Sequence, residues 1–258
     1  MLNKMINNKL IRYFYATLFN INLYALVLLI RYGFNYFRRY IGLSNKLYYY
    51  LNDKSFIQSK KVLDIFNVFE IPEIKLIPTK SEGIEKPIEE LAYLALITKI
   101  CRPKIIFEIG TYKGRTALNF ALNSDEVTVI YTLDLPRNGI DISTLGKADK
   151  AIALSSNPGY EYKRYECSKK IKQLYGNSLS FDFSEFYNKV DLMFIDGGHS
   201  FECASKDIEN ALKMVRKGGV INWHDFLTVS EYYPVTELIY SLKKNLIQYI
   251  ELKTQNFV

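Results

Sequence analysis

Cysteine, histidine and tryptophan are scarce in this chain: three, two and one among 258 residues. Cys101, Cys167 and Cys203 stand far apart and form no C-x-x-C pair, which argues against a disulfide framework and against a cysteine zinc site. They read as small hydrophobes in a reducing cytosol. No internal repeat and no low-complexity tract is visible. The longest uncharged run, residues 13–30, has 18 residues and polar Thr17, Asn20 and Asn22 near its centre, so it sits at the lower limit for a membrane span. The A-x-A-like site of a cleaved signal peptide is missing too, because Arg31-Tyr32-Gly33 follows the run.

What the chain has in quantity is apolar and aromatic side chains, 48% and 15% of its residues. That composition describes a folded core and excludes disorder and a multispanning membrane protein. The formal charge of +7 is unevenly spread. Residues 1–61 hold ten Lys or Arg against the single acid Asp53, a net +9, and the remainder, with 24 basic and 26 acidic residues, is −2. A nucleic-acid-binding domain would carry the basic excess on its folded body. Here the excess lies in an aromatic arm, and no nucleic-acid partner is expected.

Within that arm, residues 31–51 place Arg31, Asn35, Arg38, Arg39 and Lys46 on one side of a helical wheel, with Phe34, Phe37 and Ile41 elsewhere. Arginines beside Tyr and Phe suit a helix lying on an anionic membrane surface. The competing reading is a helix packed on the protein's own core or on a second subunit. If the run spans, the basic residues after it outnumber those before it, which keeps the rest of the chain in the cytoplasm, attached to that face of the membrane.

Three regions are expected: the basic helical arm of residues 1–61, a connecting region of residues 62–85, and a core of residues 86–258. In the core, short apolar runs (residues 104–109, 127–135, 190–195 and 220–223) alternate with amphipathic stretches (115–123, 201–215 and 235–244). Buried strands alternating with helices predict an α/β fold of the Rossmann-like, doubly wound type, a mostly parallel sheet with helices on both faces. Ligands of such sheets bind at the carboxyl ends of the strands. Glu108, Asp134, Asp196 and Asp225 all fall there. Residues 136–170 are long for one connection and could form a lid over a substrate.

The stretch I-F-E-I-G-T-Y-K-G-R-T at residues 106–116 makes a tight turn into a helix. A dinucleotide fingerprint would need glycine where Tyr112 and Arg115 stand, and Glu108 would repel a diphosphate. A helix N-terminus still receives a single carboxylate, and nearby acids suit an ammonium group. Asp134, 20 residues beyond Gly114, is placed to accept the hydrogens of a ribose diol. Adenosine plus an amino acid is S-adenosylmethionine.

With F-I-D-G-G-H-S at 194–200 and R-K-G-G-V-I-N-W-H-D at 216–225, the chain from about residue 86 resembles class I S-adenosylmethionine-dependent methyltransferases. It is similar in particular to the macrocin-type and rhamnosyl O-methyltransferases. The resemblance implies Glu108, Gly110, Thr111 and Gly114 near the methionine part, Asp134 on the ribose, and Gly176, Asn177 and Ser178 near adenine. It implies an oxygen acceptor on a small molecule or saccharide, and Mg²⁺ held by Asp196 and Asp225. Gly198 and His224 stand where the relatives carry acids. His199, together with Asp196, is then the expected catalytic pair, His199 taking the acceptor's proton. Two other functions are weighed: a nucleic-acid methyltransferase, whose N/D-P-P-Y/F motif is absent at I-D-G-G, and a membrane-docked scaffold that keeps the fold without catalysis.

Overall fold

The computed structural model describes residues 62–77, 88–136, 145, 147–155, 157–225, 235 and 238–239. The expected basic arm, most of the last 30 residues and the first part of the expected lid lie outside these. Among the described residues no helix is long and apolar enough to cross a membrane.

The elements in order are α1 (Val62–Ile65), α2 (Ile88–Cys101), β1 (Ile105–Ile109), α3 (Arg115–Asn123), β2 (Val129–Asp134), α4 (Lys147–Ser155), β3 (Ile171–Tyr175), β4 (Val190–Ile195), α5 (Phe201–Met214) and β5 (Val215–Trp223). The five strands pair in parallel in the order β3-β2-β1-β4-β5, the doubly wound sheet expected from the alternation of runs. Its central strands are β-branched and aromatic and covered on both faces. Phe107, Ile109, Met193 and Ile195 pack with Ile208, Ala211 and Met214 of α5. Ile106, Leu192 and Phe194, one residue out of phase, meet Leu94 and Ile97 of α2 and Leu118 of α3 on the other face. Val235, Leu238 and Ile239 are helical and join the first of these clusters, in agreement with the helical spacing read after residue 235.

Two strands differ from expectation. β3 went unassigned because I-K-Q-L-Y mixes polar and apolar residues, with Lys172 and Gln173 side by side, and shows no continuous apolar run, as suits an edge strand with one open side. β5 begins at Val215, straight from the end of α5, where R-K-G-G reads as a turn. The reason is a break in register: Val190 pairs with Val215 but Leu192 with Val220, so the segment holding Gly218 (φ 78°) loops out of the ladder. At this amino end of the sheet Asp191 accepts the backbone N–H groups of Lys104 and Ile105, both at 2.8 Å, and pairs with Arg216.

The connecting region is not wholly loose. Asn123 of α3 accepts from Lys75 N (2.9 Å) and donates to Lys75 O (2.8 Å), holding residues 71–77 as an extended strap beside α3. Asn123→Ala removes both bonds and should cost about 1–3 kcal/mol. Urea denaturation checks this, and an unchanged midpoint would show that the strap contributes nothing to stability.

Candidate active site

One backbone pattern recurs along the carboxyl rim of the sheet. Gly176 N donates to Asp134 O (3.0 Å), Gly110 N to Leu133 O (2.9 Å), Asp196 N to Ile109 O (2.8 Å) and His224 N to Ile195 O (3.0 Å). The parallel ladder thus runs one residue past β1, β3, β4 and β5 and sets the first residue of each of these loops in a row. Strand order reverses between β1 and β4, and a crevice opens at such a switch point. A cavity of ≈ 300 Å³ lies there, within the range of small-ligand sites. Gly110, Thr111, Asp134, Gly176, Asn177, Ser178, Asp196, His199 and Asp225 all line it, so nine of the eleven residues given a role from sequence meet around one space. Leu145, Asp149, Ile152 and Ala153 wall it from α4 and the residues before it, which gives part of the expected lid a place beside the site.

The two glycines of the turn are demanded by packing. A Cβ on Gly110 (φ 97°) would sit 2.0 Å from the Asp196 carbonyl oxygen, and one on Gly114 (φ 86°) would sit 2.5 Å from the Tyr162 ring. No larger residue fits at either place, and Gly114, at the N-cap of α3, does not line the cavity. Glu108 also lies behind the turn. It is fully buried, its Oε2 accepts from the Thr132 hydroxyl, and Thr132 meets Thr111 Oγ1 at 2.6 Å. Gln173 then bonds Thr111 Oγ1 (3.0 Å) and receives Tyr162 OH (2.8 Å). The expectation that Glu108 points into the crevice is therefore corrected: its α3-side position on β1 turns it into this buried relay, and the Thr111 hydroxyl with it.

Asp134 accepts Tyr112 N (2.6 Å) and Leu135 N (2.7 Å) on its two oxygens. Burial pushes its pKa up, against the pull of these backbone donors. Asn177 reaches the cavity wall, but its Oδ1 accepts Leu179 N (3.0 Å) and so shapes the turn after β3.

The histidines and acids form the densest polar cluster. His199 Nε2 lies 2.7 Å from Asp225 Oδ2 and 3.9 Å from Asp196 Oδ1, and His224 Nδ1 lies 2.8 Å and 3.0 Å from the same two oxygens. One ligand atom from each of the four residues falls within 4.8 Å of the others, a grouping able to hold a metal ion. The outer nitrogens are held as well, His199 Nδ1 by Asp149 Oδ1 (2.8 Å) and His224 Nε2 by Glu90 Oε2 (3.2 Å). Burial alone would lower both imidazole pKa values. For His199 the hydrogen bonds to Asp149 and Asp225 prevail and raise it to about 9; for His224 the charge of Asp196 leads and raises it to about 12. Asp149 and Glu90 escaped the sequence reading, since neither stands in a motif and the contacts are 50 and 134 residues long in sequence.

A family model described as a methyltransferase domain matches residues 107–226, the span from β1 to the end of this cluster. Over this stretch, 120 of the 258 residues, the chain is similar to a methyltransferase domain. A search of curated proteins gives no match. Among solved structures, the chain is similar to a putative O-methyltransferase from Klebsiella pneumoniae (18% identity over 75% of this chain and 82% of that one, TM-score 0.46). The O-methyltransferase from Bacillus cereus in complex with SAH gives 21%, 74%, 84% and 0.41 for the same quantities. A putative caffeoyl-CoA O-methyltransferase from Staphylococcus aureus gives 15%, 79%, 89% and 0.45.

Asp207 of α5 is fully buried beneath the loop that carries His199; a Cβ on Gly197 would lie 2.8 Å from its Oδ2. Burial raises its pKa to about 7, with the Ser178 hydroxyl and the His199 charge pulling downward. The unfolded chain loses this proton near pH ~4. Between there and about 7 the folded state binds more protons than the unfolded one, so stability falls as pH rises through this window and levels off above it. Asp207→Asn should flatten the profile and stabilise the protein at pH 8 by up to about 4 kcal/mol. Thermal unfolding at pH 5 and pH 8 checks both, and parallel profiles for the two proteins would refute the buried-acid account.

Proposed function

We propose that the chain transfers a methyl group from S-adenosylmethionine to an oxygen of a small polyhydroxy molecule or sugar. The observation that carries this reading is the convergence of Asp196, His199, His224 and Asp225 on the wall of the same cavity as the Gly110 turn and Asp134. The cavity fits the cofactor: a fixed carboxylate stands at one strand end, a helix N-terminus beside it, and Leu133 and Leu135 supply apolar wall. In this reading Gly110, Thr111 and the start of α3 receive the methionine end, with Gly114 shaping the turn and Glu108 bracing it from behind. Asp134 receives the ribose diol and Asn177 with Ser178 the adenine.

Bound S-adenosylmethionine supplies a methyl group on a sulfonium, already an excellent leaving group. The protein's share is to align the acceptor and remove its proton. An alcohol holds that proton at neutral pH, and the strand-end cluster is the one place on the cavity wall where carboxylates and imidazoles meet. Asp196 and Asp225 would hold a divalent cation there, which lowers the pKa of a coordinated hydroxyl. His199 enters as a member of this cluster rather than as a detached base, because both its ring nitrogens are already engaged. A nucleic-acid acceptor is disfavoured by the net −2 of residues 62–258, and a non-catalytic scaffold by how closely the packing around Gly110 and Asp134 is specified.

Asp134→Ala should weaken S-adenosylmethionine binding about ten- to a hundredfold, the loss of a charged hydrogen-bond acceptor. Calorimetry on the folded variant measures it, and equal affinity would remove the ribose assignment. Methyl-deuterated S-adenosylmethionine added to a lysate with and without the protein should yield a small, oxygen-labelled product by mass spectrometry. Label found only in nucleic acid would overturn the acceptor class.

The net +9 of residues 1–61 carries a second proposed property, attachment to the cytoplasmic face of a membrane through residues 13–51. Membrane fractionation with a high-salt wash should release the full-length protein if it binds the surface and retain it if it inserts. A protein found wholly in the soluble fraction before the wash would end this reading.

A further inference from the structure

We infer that the cluster of Asp196, His199, His224 and Asp225 is a site for a first-row transition-metal ion of the Zn²⁺ type in preference to Mg²⁺. The inference deepens the reading above and rests on it for the purpose of the ion, though not for its binding. The donor set is the first argument. Mg²⁺ takes oxygen ligands and keeps much of its water, whereas imidazole suits zinc, iron, nickel and copper. Two of the four donors here are imidazole nitrogens, and they are the only two histidines of the chain.

The spacing is the second argument. Four ligands at Zn²⁺ distances in a tetrahedron lie roughly 3.3 Å from one another. The distances between the imidazole nitrogens and the two carboxylate oxygens are 2.7, 2.8, 3.0 and 3.9 Å, on both sides of that value. His224 Nδ1 is buried and, although near two oxygens, makes no properly angled hydrogen bond to either. On binding an ion, both ring nitrogens would give up the proton they hold against these carboxylates and turn a lone pair to a common point.

The outer contacts are the third argument. A metal-bound histidine nearly always gives its other ring N–H to a carboxylate or carbonyl, which fixes the tautomer and turns the ring. Both histidines do so, in complementary tautomers. His199 gives Nδ1 to Asp149 and keeps Nε2 for the site; His224 gives Nε2 to Glu90 and keeps Nδ1. Asp149 also accepts His199 N (2.9 Å), holding backbone and ring together. The backbone is built to the same end. Ile195 pairs with Trp223, which brings Asp196 beside His224, and Asp225 adopts φ 62°, which folds its carboxylate back to the cluster. Asp149 and Glu90 are therefore positioning residues for the two imidazoles, from α4 and α2.

The full-length protein, stripped with EDTA and dialysed, tests this by calorimetry with Zn²⁺ and Mg²⁺ and by visible absorption with Co²⁺, whose ligand-field bands report low coordination by nitrogen and oxygen. Zn²⁺ should bind at one site, on the order of a hundredfold or more tighter than Mg²⁺, and Co²⁺ should give the bands. His224→Ala should abolish both. Asp149→Asn and Glu90→Gln should weaken Zn²⁺ about ten- to a hundredfold. Mg²⁺ binding as tight as Zn²⁺, or Co²⁺ bands that survive His224→Ala, would overturn the site, and unchanged Zn²⁺ affinity in both carboxylate variants would overturn the positioning roles. Titration of S-adenosylmethionine into the same samples separates the two claims: cofactor binding without metal sinks only the ion, and metal binding without cofactor sinks only the methyl transfer.

Discussion

The parallel pairing of β4 with its two neighbours fixes the position of nearly everything around the cavity. Ile195 faces Ile109 on one side and Trp223 on the other, so the residues that follow these strands emerge level with one another. Hydrogen bonds from Asp196 N and His224 N extend the pairing past the strand ends. The glycine at 110 is what lets the chains come so close, since even a methyl group would overlap the Asp196 carbonyl. Long-range convergence of four side chains thus follows from local backbone bonding, without any loop having to find its place by side-chain contacts alone.

Behind the same turn lies a polar relay running from Glu108 through Thr132, Thr111 and Gln173 to Tyr162. Burying so many polar groups is tolerable because each bonds the next, and in a low-dielectric interior such chains strengthen one another. The relay joins β1, β2 and β3 to the segment holding Gly159 and Tyr162, and the Tyr162 ring fills the space that Gly114 leaves. Arg115 and Glu161 close the other side of this contact with a largely buried ion pair at 3.0 Å. The α3 N-terminus is accordingly held by its neighbours before any ligand arrives, which is preorganisation in the ordinary energetic sense.

Strand periodicity and strand-end acids made the sheet and most of the cavity legible in the sequence. Buried strands such as I-I-F-E-I and V-D-L-M-F-I announce themselves through continuous apolar runs, and the acids that end them can only lie at one rim of a parallel sheet. Asp134, Asp196 and Asp225 were found on that ground. What escaped was whatever depends on a partner far away in sequence. β3 has the mixed polarity of an edge strand; Asp149 and Glu90 are ordinary helical carboxylates until α4 and α2 bring them to the histidines. Glu108 was assigned to the right strand end but to the wrong side of it, because a one-residue change of face decides between crevice and core. Charge counting along the chain set the arm apart from the core, and its residues lie outside those the structure describes.

The two ends of the sheet do different work. At the amino end Asp191 braces three strands together, taking backbone N–H groups at the start of β1 and the guanidinium of Arg216 from β5, and none of these residues lines the cavity. The carboxyl end holds the acids and imidazoles that line the cavity and receives α4 from a long, weakly patterned connection. Mechanical integrity and chemical choice are thereby assigned to opposite poles of one scaffold. A lineage could exchange the wall formed by Leu145, Ile152 and Ala153, and with it the molecules admitted, while the brace at Asp191 went on holding the strands in register: the protein's capacity to acquire new acceptors is set by the distance between its anchor and its mouth.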